Sequence, residues 1–510
     1  MNKLVVSLLV AGGCLTVAEA KVEFGTPFAD GMVLQREMKV PVWGTAPAGE
    51  KVAVRFSNHL AKVVADKDGK WMVTLPSMKA SKTPRVLSAM DRDGEVQVKD
   101  VLVGEVWYVC GQSNTELPLW SSMPRFRDGR GALVAQLAER PNIRFCYAAN
   151  YRWSTKSKAK AAYAVKWQAF SNETLGKGHG FSAMGVYFAL NLYGSLDIPI
   201  GLVGSYWGGT GIDPWTPACG YESRADLKDV AALPRLEADA FKKAREKGGV
   251  YDEKILGASC FRDPWQQPSV LWNEQVAPWC PMAMRGFIWY QGCHNAGEWR
   301  RYCSKMHALY DGWAKMFKNP ELKLYFAQLC SWGGNIAPMQ EAQTQFAVEE
   351  KNAGIAVIND VGNLRDIHPN DKLTVGLRMA ALALKHAYGF NIKADSPTFK
   401  SWKIDGDTVE LTFDNAEGWY VYNPDRSFAN GFELCGEDGV WKKAEFVNIK
   451  TTKNWKGQPE QTGGLVGSKV VLKAKDVTAP KKLRYLYSAP WFGSLYNEVG
   501  LPLGAFHIGD

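Results

Sequence analysis

The chain has 510 residues, of which 46% are apolar, 22% charged and 12% aromatic, a balance found in folded globular proteins and not in disordered or fibrous ones. That length exceeds one ordinary core and calls for roughly two to four domains. The formal charge of +9 is spread without a basic block longer than a few residues, so no nucleic acid partner is expected, since such binding needs concentrated Lys and Arg.

Residues 1–20 read as a secretory signal: Lys3 supplies the positive start, Leu4 to Val10 the apolar stretch, and Ala18-Glu19-Ala20 a small-x-small cleavage pattern. The expected location is therefore periplasmic or extracellular. Lipoprotein anchoring through Cys14 is the lesser alternative, because Ala11 stands where a larger aliphatic residue is usual. No later stretch has about twenty uninterrupted apolar residues, so no membrane span is expected. Cleavage would remove one of ten cysteines and leave nine, an odd number scattered without the tight spacings of a disulfide framework.

From Val22 to about Met90, short alternating segments such as Lys51 to Phe56 and Trp71 to Leu75 are separated by Pro-Ala-Gly and Asp-Gly turns, which predicts a small β-sandwich over residues 21–98. Residues 99–390 alternate apolar strands with helical stretches. Strands are expected at Val106 to Cys110, Ile198 to Gly204, Gly286 to Tyr290, Leu324 to Leu329 and Ile355 to Ile358. Ser182 is placed to cap a helix, and another runs from Leu373 to Tyr388 and closes at Gly389. This pattern predicts an α/β domain with a mostly parallel sheet. Residues 391–510 return to half-buried strands and predict a C-terminal β-domain. No repeat or low-complexity linker separates the three parts, and nothing in them specifies an oligomeric state. Twenty tryptophans exceed what a core needs, and aromatic-rich clefts suit sugar rings.

Gly111-Gln112-Ser113-Asn114 follows the strand Val106 to Cys110, so the Ser113 hydroxyl projects from a sheet rim with backbone N–H groups beside it. Such a serine is a nucleophile only if a base meets it. Of seven histidines, His368 has a chemical context: Pro369 biases it toward extended backbone, which would put Asp366 and His368 on one face. A carboxylate there fixes the imidazole tautomer and stabilises the imidazolium. Asp371 is the rival carboxylate, although it is better explained as the N-cap of the helix that follows. Two further strand ends can polarise a carbonyl: Gly208 and Gly209 through backbone N–H groups, and Gln291 or Asn295 through side-chain amides.

Cys293, His294, Cys303 and His307 lie close in sequence, but structural zinc sites use tighter paired spacings, and no metal is expected. No Gly-rich phosphate loop occurs, so no nucleotide or other cofactor is expected.

Taken together, residues 107–114, 198–215, 289–295 and 366–378 resemble the sialate O-acetylesterase family of SGNH-type hydrolases, in family order. Residues 28–36, 42–45 and 495–502 resemble it as well. The resemblance implies a three-layer SGNH-hydrolase-like catalytic domain flanked by N- and C-terminal β-sandwiches. It also implies a metal-free serine esterase acting on O-acetylated carbohydrates. By position Ser113 matches the nucleophile, His368 the base and Asp366 the third member. Ser113 N–H, Gly208 or Gly209, and Gln291 or Asn295 match the oxyanion donors. The family's third block usually reads Gln-Gly-Glu-Ser-Asn, whereas Cys293 and His294 stand here in place of Glu and Ser, and Thr115 stands where Met is usual. Acetylxylan or another acetylated polysaccharide is the rival substrate, and a non-catalytic carbohydrate-binding protein is the rival class.

Overall fold

Between Glu95 and Asp100 polar and apolar residues alternate, and from Val101 to Cys110 nearly every residue is apolar. In the computed structural model both stretches form one strand, β1 (Glu95–Gly111), half-exposed at its start and buried from Val101 onward. The change follows what covers it. The first half pairs antiparallel with Ser81–Met90 and parallel with Val33–Gln35, whereas the second half lies inside a parallel sheet covered on both faces. The structure describes residues 22–119, 140–148, 151–176, 180–247, 249, 263–421, 431–453, 456–488 and 492–509. The expected signal segment and Cys14 lie outside them.

Six strands build the parallel part: β1, β2 (Arg140–Tyr147), β3 (Ile200–Tyr206), β4 (Gly286–Tyr290), β5 (Lys323–Ala327) and β6 (Ala353–Ala356). Across the sheet they run β2-β3-β1-β4-β5-β6, with the short strand Gln168–Phe170 antiparallel at the β2 edge. The chain winds to one side of β1 for β2 and β3, then crosses to the other side for β4. Such a reversal marks the carboxyl end of β1 as the place where open α/β sheets bind ligands. Tyr206 on β3 and Tyr290 on β4 both register with Gly111, so three strand-end turns converge there.

Among the described residues, four long helices belong to this part of the chain: α1 (Ala183–Leu196), α2 (Trp299–Met316), α3 (Ala337–Glu349) and α4 (Lys372–His386). Ser182 caps α1 by accepting from Gly185 N–H at 3.2 Å, and Asp371 caps α4 by accepting from Thr374 N–H at 2.9 Å, as N-cap chemistry requires. Gly389, at φ +72°, closes the turn after α4. Among the described residues no helix is long and apolar enough to cross a membrane.

The boundary expected near residue 98 falls inside β1. The N-terminal strands and the parallel sheet accordingly share one hydrophobic core, which extends from Val22 to Ala394. Beyond it, a seven-stranded and a four-stranded sheet enclose a second core of C-terminal residues. Asn359 joins the two by donating to the Leu503 carbonyl at 2.8 Å.

Candidate active site

Gly111 ends β1 at φ +141°, a conformation an L side chain rarely adopts, and a Cβ there would stand 2.4 Å from the Tyr290 carbonyl oxygen. This turn directs the chain into a single helical turn, Ser113–Glu116. Gln112 is buried and accepts from Gly292 N–H at 3.1 Å. Thr115 is buried beneath the turn, 3.1 Å from the Tyr290 carbonyl, so the hydroxyl that replaces the usual Met anchors the turn to β4.

Ser113 Oγ lies 2.9 Å from His368 Nε2. On the far side of the ring, His368 Nδ1 lies 3.2 Å from Asp366 Oδ1, which also accepts the His368 backbone N–H at 2.9 Å. Serine, imidazole and carboxylate therefore form one chain of hydrogen bonds across 255 residues of sequence. The backbone route differs from the expected extended segment: Ile367 and His368 lie in a bend, and the Asp366 carboxylate folds over its own chain to reach the ring. His368 and Asp366 side chains are 37% and 42% exposed, so the pair is open to solvent on one side. Asp371 points elsewhere, both its oxygens taken by Thr374 in the cap of α4.

A buried ammonium ties the two loops together. Lys372 donates to Asn114 Oδ1 at 2.8 Å and to the Pro369 carbonyl at 2.5 Å, and Asn114 Nδ2 donates to the Ile367 carbonyl at 3.1 Å. Asn114, next to Ser113, is thus cross-braced to Ile367 and Pro369 on either side of His368. Burial holds the Lys372 pKa down at about 8, against the pull of Cys330, Cys293 and the Asp366 and Asp371 carboxylates. Its position in the first turn of a helix reads from sequence as an ordinary surface lysine, and no periodicity marks it as buried.

The second strand end carries Trp207 and Gly208. A Cβ on Gly208 would sit 3.4 Å from Ser113 Cβ, so Gly208 lies beside Ser113. Its N–H donates to Glu116 Oε2 at 2.8 Å, a carboxylate that no sequence signal singled out. Gly209, at φ +73°, presents its carbonyl to Gln266 Nε2 at 2.8 Å, and Gln266 Oε1 in turn accepts from Gly211 N–H at 3.0 Å. This glycine-bearing turn is pinned rather than loose. Trp207 stacks on Trp265 with centroids 5.4 Å apart and planes at 17°, and exposed Tyr151 stands at 80° to it with centroids 5.3 Å apart. An aromatic wall therefore adjoins the serine.

The third strand end is almost entirely self-bonded. Gln291 donates both amide hydrogens, to the Thr210 carbonyl at 3.0 Å and to Asn295 Oδ1 at 2.8 Å, while its oxygen accepts from Tyr302 at 2.7 Å. Gln291 has no amide hydrogen left for a ligand. Asn295 Oδ1 also accepts from Ile212 N–H at 3.0 Å, and Nδ2 gives one hydrogen to Glu298 at 3.2 Å. Its second amide hydrogen has no partner among the described residues. Glu298 is fixed by Lys305, which also donates to buried Asp213 at 2.8 Å. Cys293 and His294 begin a short 3-10 segment, Cys293–Glu298, and burial beside Cys330 pushes the Cys293 thiol up to about 12. The four-residue zinc constellation does not assemble: Cys303 and His307 cluster with Glu349, without Cys293 or His294. All eight described cysteines are free thiols.

No family model matches the chain. It is 30% identical to a carbohydrate acetylesterase from Xanthomonas citri of known crystal structure, with a TM-score of 0.77 over 96% of this chain and 99% of that one. It is 27% identical to the sialate O-acetylesterase of Homo sapiens over 72% of this chain and 71% of the human protein. The rat (Rattus norvegicus) protein of the same name is 28% identical, with 75% and 77% covered.

Proposed function

The chain belongs to the sialate O-acetylesterase family and is a carboxylic ester hydrolase of O-acetylated sugars, and from that premise we propose that it works as an exported serine esterase of the SGNH type through Ser113, His368 and Asp366. The carrying observation is the 2.9 Å approach of Ser113 Oγ to His368 Nε2, with Asp366 on the other ring nitrogen.

His368 Nε2 takes the Ser113 proton as Oγ attacks the acetyl carbonyl, and Asp366 stabilises the imidazolium that results. The C–O bond to the sugar then breaks, and the imidazolium returns its proton to the departing sugar oxygen. Water repeats the sequence on the acetyl-serine: His368 takes a proton from the water as its oxygen attacks the carbonyl, then passes that proton to Ser113 Oγ as the acyl C–O bond breaks and acetate leaves. The oxyanion is received by Ser113 N–H and the spare amide hydrogen of Asn295, and Gly208 N–H joins them when the substrate oxygen displaces the Glu116 carboxylate from it. Preorganised donors of this kind are each worth about 3 kcal/mol of barrier. No metal or cofactor enters these steps.

The sugar ring rests against Trp207 and Tyr151, whose faces suit the apolar side of a pyranose. Sialate is the first substrate, by the naming of the curated relatives. Glu116 favours a second reading, a neutral acetylated polysaccharide such as acetylxylan, because its carboxylate on Gly208 N–H opposes a carboxylated sugar. A non-catalytic carbohydrate-binding protein draws no support from relatives named as esterases. The test is acetate release from 9-O-acetylated sialic acid and from acetylated xylan by the wild type and by Ser113→Ala. The variant is expected to lose about 10⁴-fold or more in kcat on both with an unchanged Tm; undiminished release would overturn the assignment. The better substrate of the wild type decides between the two sugars.

A further inference from the structure

Cys303 and His307 are four residues apart on α2 and therefore share one face of that helix. Glu349, the last residue of α3, reaches the same point from the neighbouring helix. Its Oε2 lies 2.9 Å from His307 Nε2 and 3.5 Å from Cys303 Sγ, and the three atoms all fall within 4.8 Å of one another. Each side chain is already oriented. Gln345 donates to the other Glu349 oxygen at 2.8 Å, which turns Oε2 toward the thiol, and the His307 ring stands edge-on to Phe346 at 4.8 Å. None of the three belongs to the proposed esterase machinery.

We infer that Cys303, His307 and Glu349 form a binding site for one divalent cation of the zinc class. Zinc binds thiolate sulfur, imidazole nitrogen and carboxylate oxygen at about 2.0–2.3 Å, which in tetrahedral geometry separates ligand atoms by roughly 3.4–3.6 Å. The 3.5 Å pair already meets that range, the 2.9 Å pair must open by about 0.5 Å, and Cys303 Sγ and His307 Nε2, within 4.8 Å of each other, must close by up to about 1.2 Å. Thiolate plus carboxylate neutralise a dication, and a mixed sulfur, nitrogen and oxygen set suits a borderline ion better than calcium or magnesium. Glu349 is 45% exposed, so the fourth position opens to water. In the free protein, burial and the Glu349 charge push the Cys303 thiol up to about 12, partly offset by Arg224; the cation takes the place of that proton. Asp311, one turn further along α2, faces the His307 ring electrostatically. Since Tyr302 on α2 and Gln343 on α3 both hold Gln291, the bound ion braces the two helices that carry the third strand-end turn.

The test is titration of the purified chain with Co²⁺ and competition with Zn²⁺, read by the near-ultraviolet thiolate-to-cobalt absorption and by Tm. One Co²⁺ per chain is expected to bind with that absorption, Zn²⁺ is expected to displace it, and both ions should raise Tm. Cys303→Ser should abolish the absorption, and His307→Ala and the exposed Glu349→Gln should each weaken Zn²⁺ binding about tenfold or more, all three keeping wild-type turnover of a chromogenic acetate ester. Absence of the absorption in the wild type overturns the site. So does its survival at unchanged affinity in Cys303→Ser, or unaltered Zn²⁺ affinity in both other variants.

Discussion

The turns after β1 and β4 leave adjacent parallel strands in register with each other, yet their polar atoms are disposed in opposite ways. After β1, the Ser113 hydroxyl faces the half-exposed His368, and Ser113 N–H has no partner among the described residues. After β4, Gln291 has committed every side-chain hydrogen-bonding group inward and Asn295 all but one amide hydrogen. A polar residue at a strand end thus gains a chemical role only if hydrogen-bond accounting leaves it a free group. In the proposed mechanism the first turn reacts and the second chiefly supports, with the one remaining Asn295 hydrogen as its link to chemistry.

The largest effect that tests this division concerns the two carboxylates around His368. Asp366→Ala should lower kcat by about 10²- to 10⁴-fold, the range seen when a triad acid is removed. Asp371→Ala should leave turnover near wild type and cost about 1 kcal/mol of stability as a lost cap. Steady-state kinetics beside denaturant unfolding separates the two, and the reverse outcome would move the acid's role to Asp371. Next comes the pair on the supporting side. Asn295→Ala is expected to reduce kcat about a hundredfold, whereas Gln291→Ala should chiefly cost about 1–3 kcal/mol through buried partners left unpaired. Equal kinetic losses would erase the distinction between donor and scaffold.

Lys372→Met should lower kcat roughly tenfold at little change in KM, because it unties Asn114 from Pro369 without touching the reacting atoms; stability should fall by about 1–3 kcal/mol. Its pH signature has a definite sign. Lys372 titrates near 8 in the folded protein and at 10.5 as a free side chain, so between those values the unfolded chain holds more protons and folding stability contributed by this group rises with pH. The wild-type minus Lys372→Met difference in unfolding free energy should therefore grow from pH 8 to pH 10, by at most about 1.4 kcal/mol per pH unit. A flat difference would mean the lysine is not buried as an ammonium. The smallest expected effect is that of Glu116→Gln, which removes a negative charge beside the forming oxyanion. A several-fold gain in kcat/KM, larger for an anionic than for a neutral acetyl sugar, is expected from charge separation of a few ångströms.

The parts of this site that were legible in the sequence are those written in local signals. Ser113 stood at the end of an apolar run, Asp366 and His368 were two residues apart, and Ser182 and Asp371 preceded helices they were suited to cap. What was not legible depends on partners far away in the chain. Gly208 N–H meets Glu116 from 92 residues off, and Gln291 is consumed by Thr210 and Tyr302, which no reading of a strand-end motif reveals. Nothing in the local sequence marks Lys372 as buried. Around the division expected near residue 98, Lys99 and Asp100 interrupt the apolar pattern and Asp100 takes φ +55°, while pairing along β1 continues past them with a shift of register.

That unbroken strand has a mechanical consequence. With 17 residues at about 3.3 Å each, its contour is roughly 55 Å, and it carries the N-terminal sheet at one end and the nucleophile's turn at the other. No linker intervenes to act as a hinge, so the N-terminal sheet behaves as a splint, held at a set distance from Ser113. Trimming the chain before residue 95 would strip the paired strands from half of that splint and expose its edge. Surfaces on the N-terminal sheet and the turn that carries Ser113 are accordingly joined through one continuous strand.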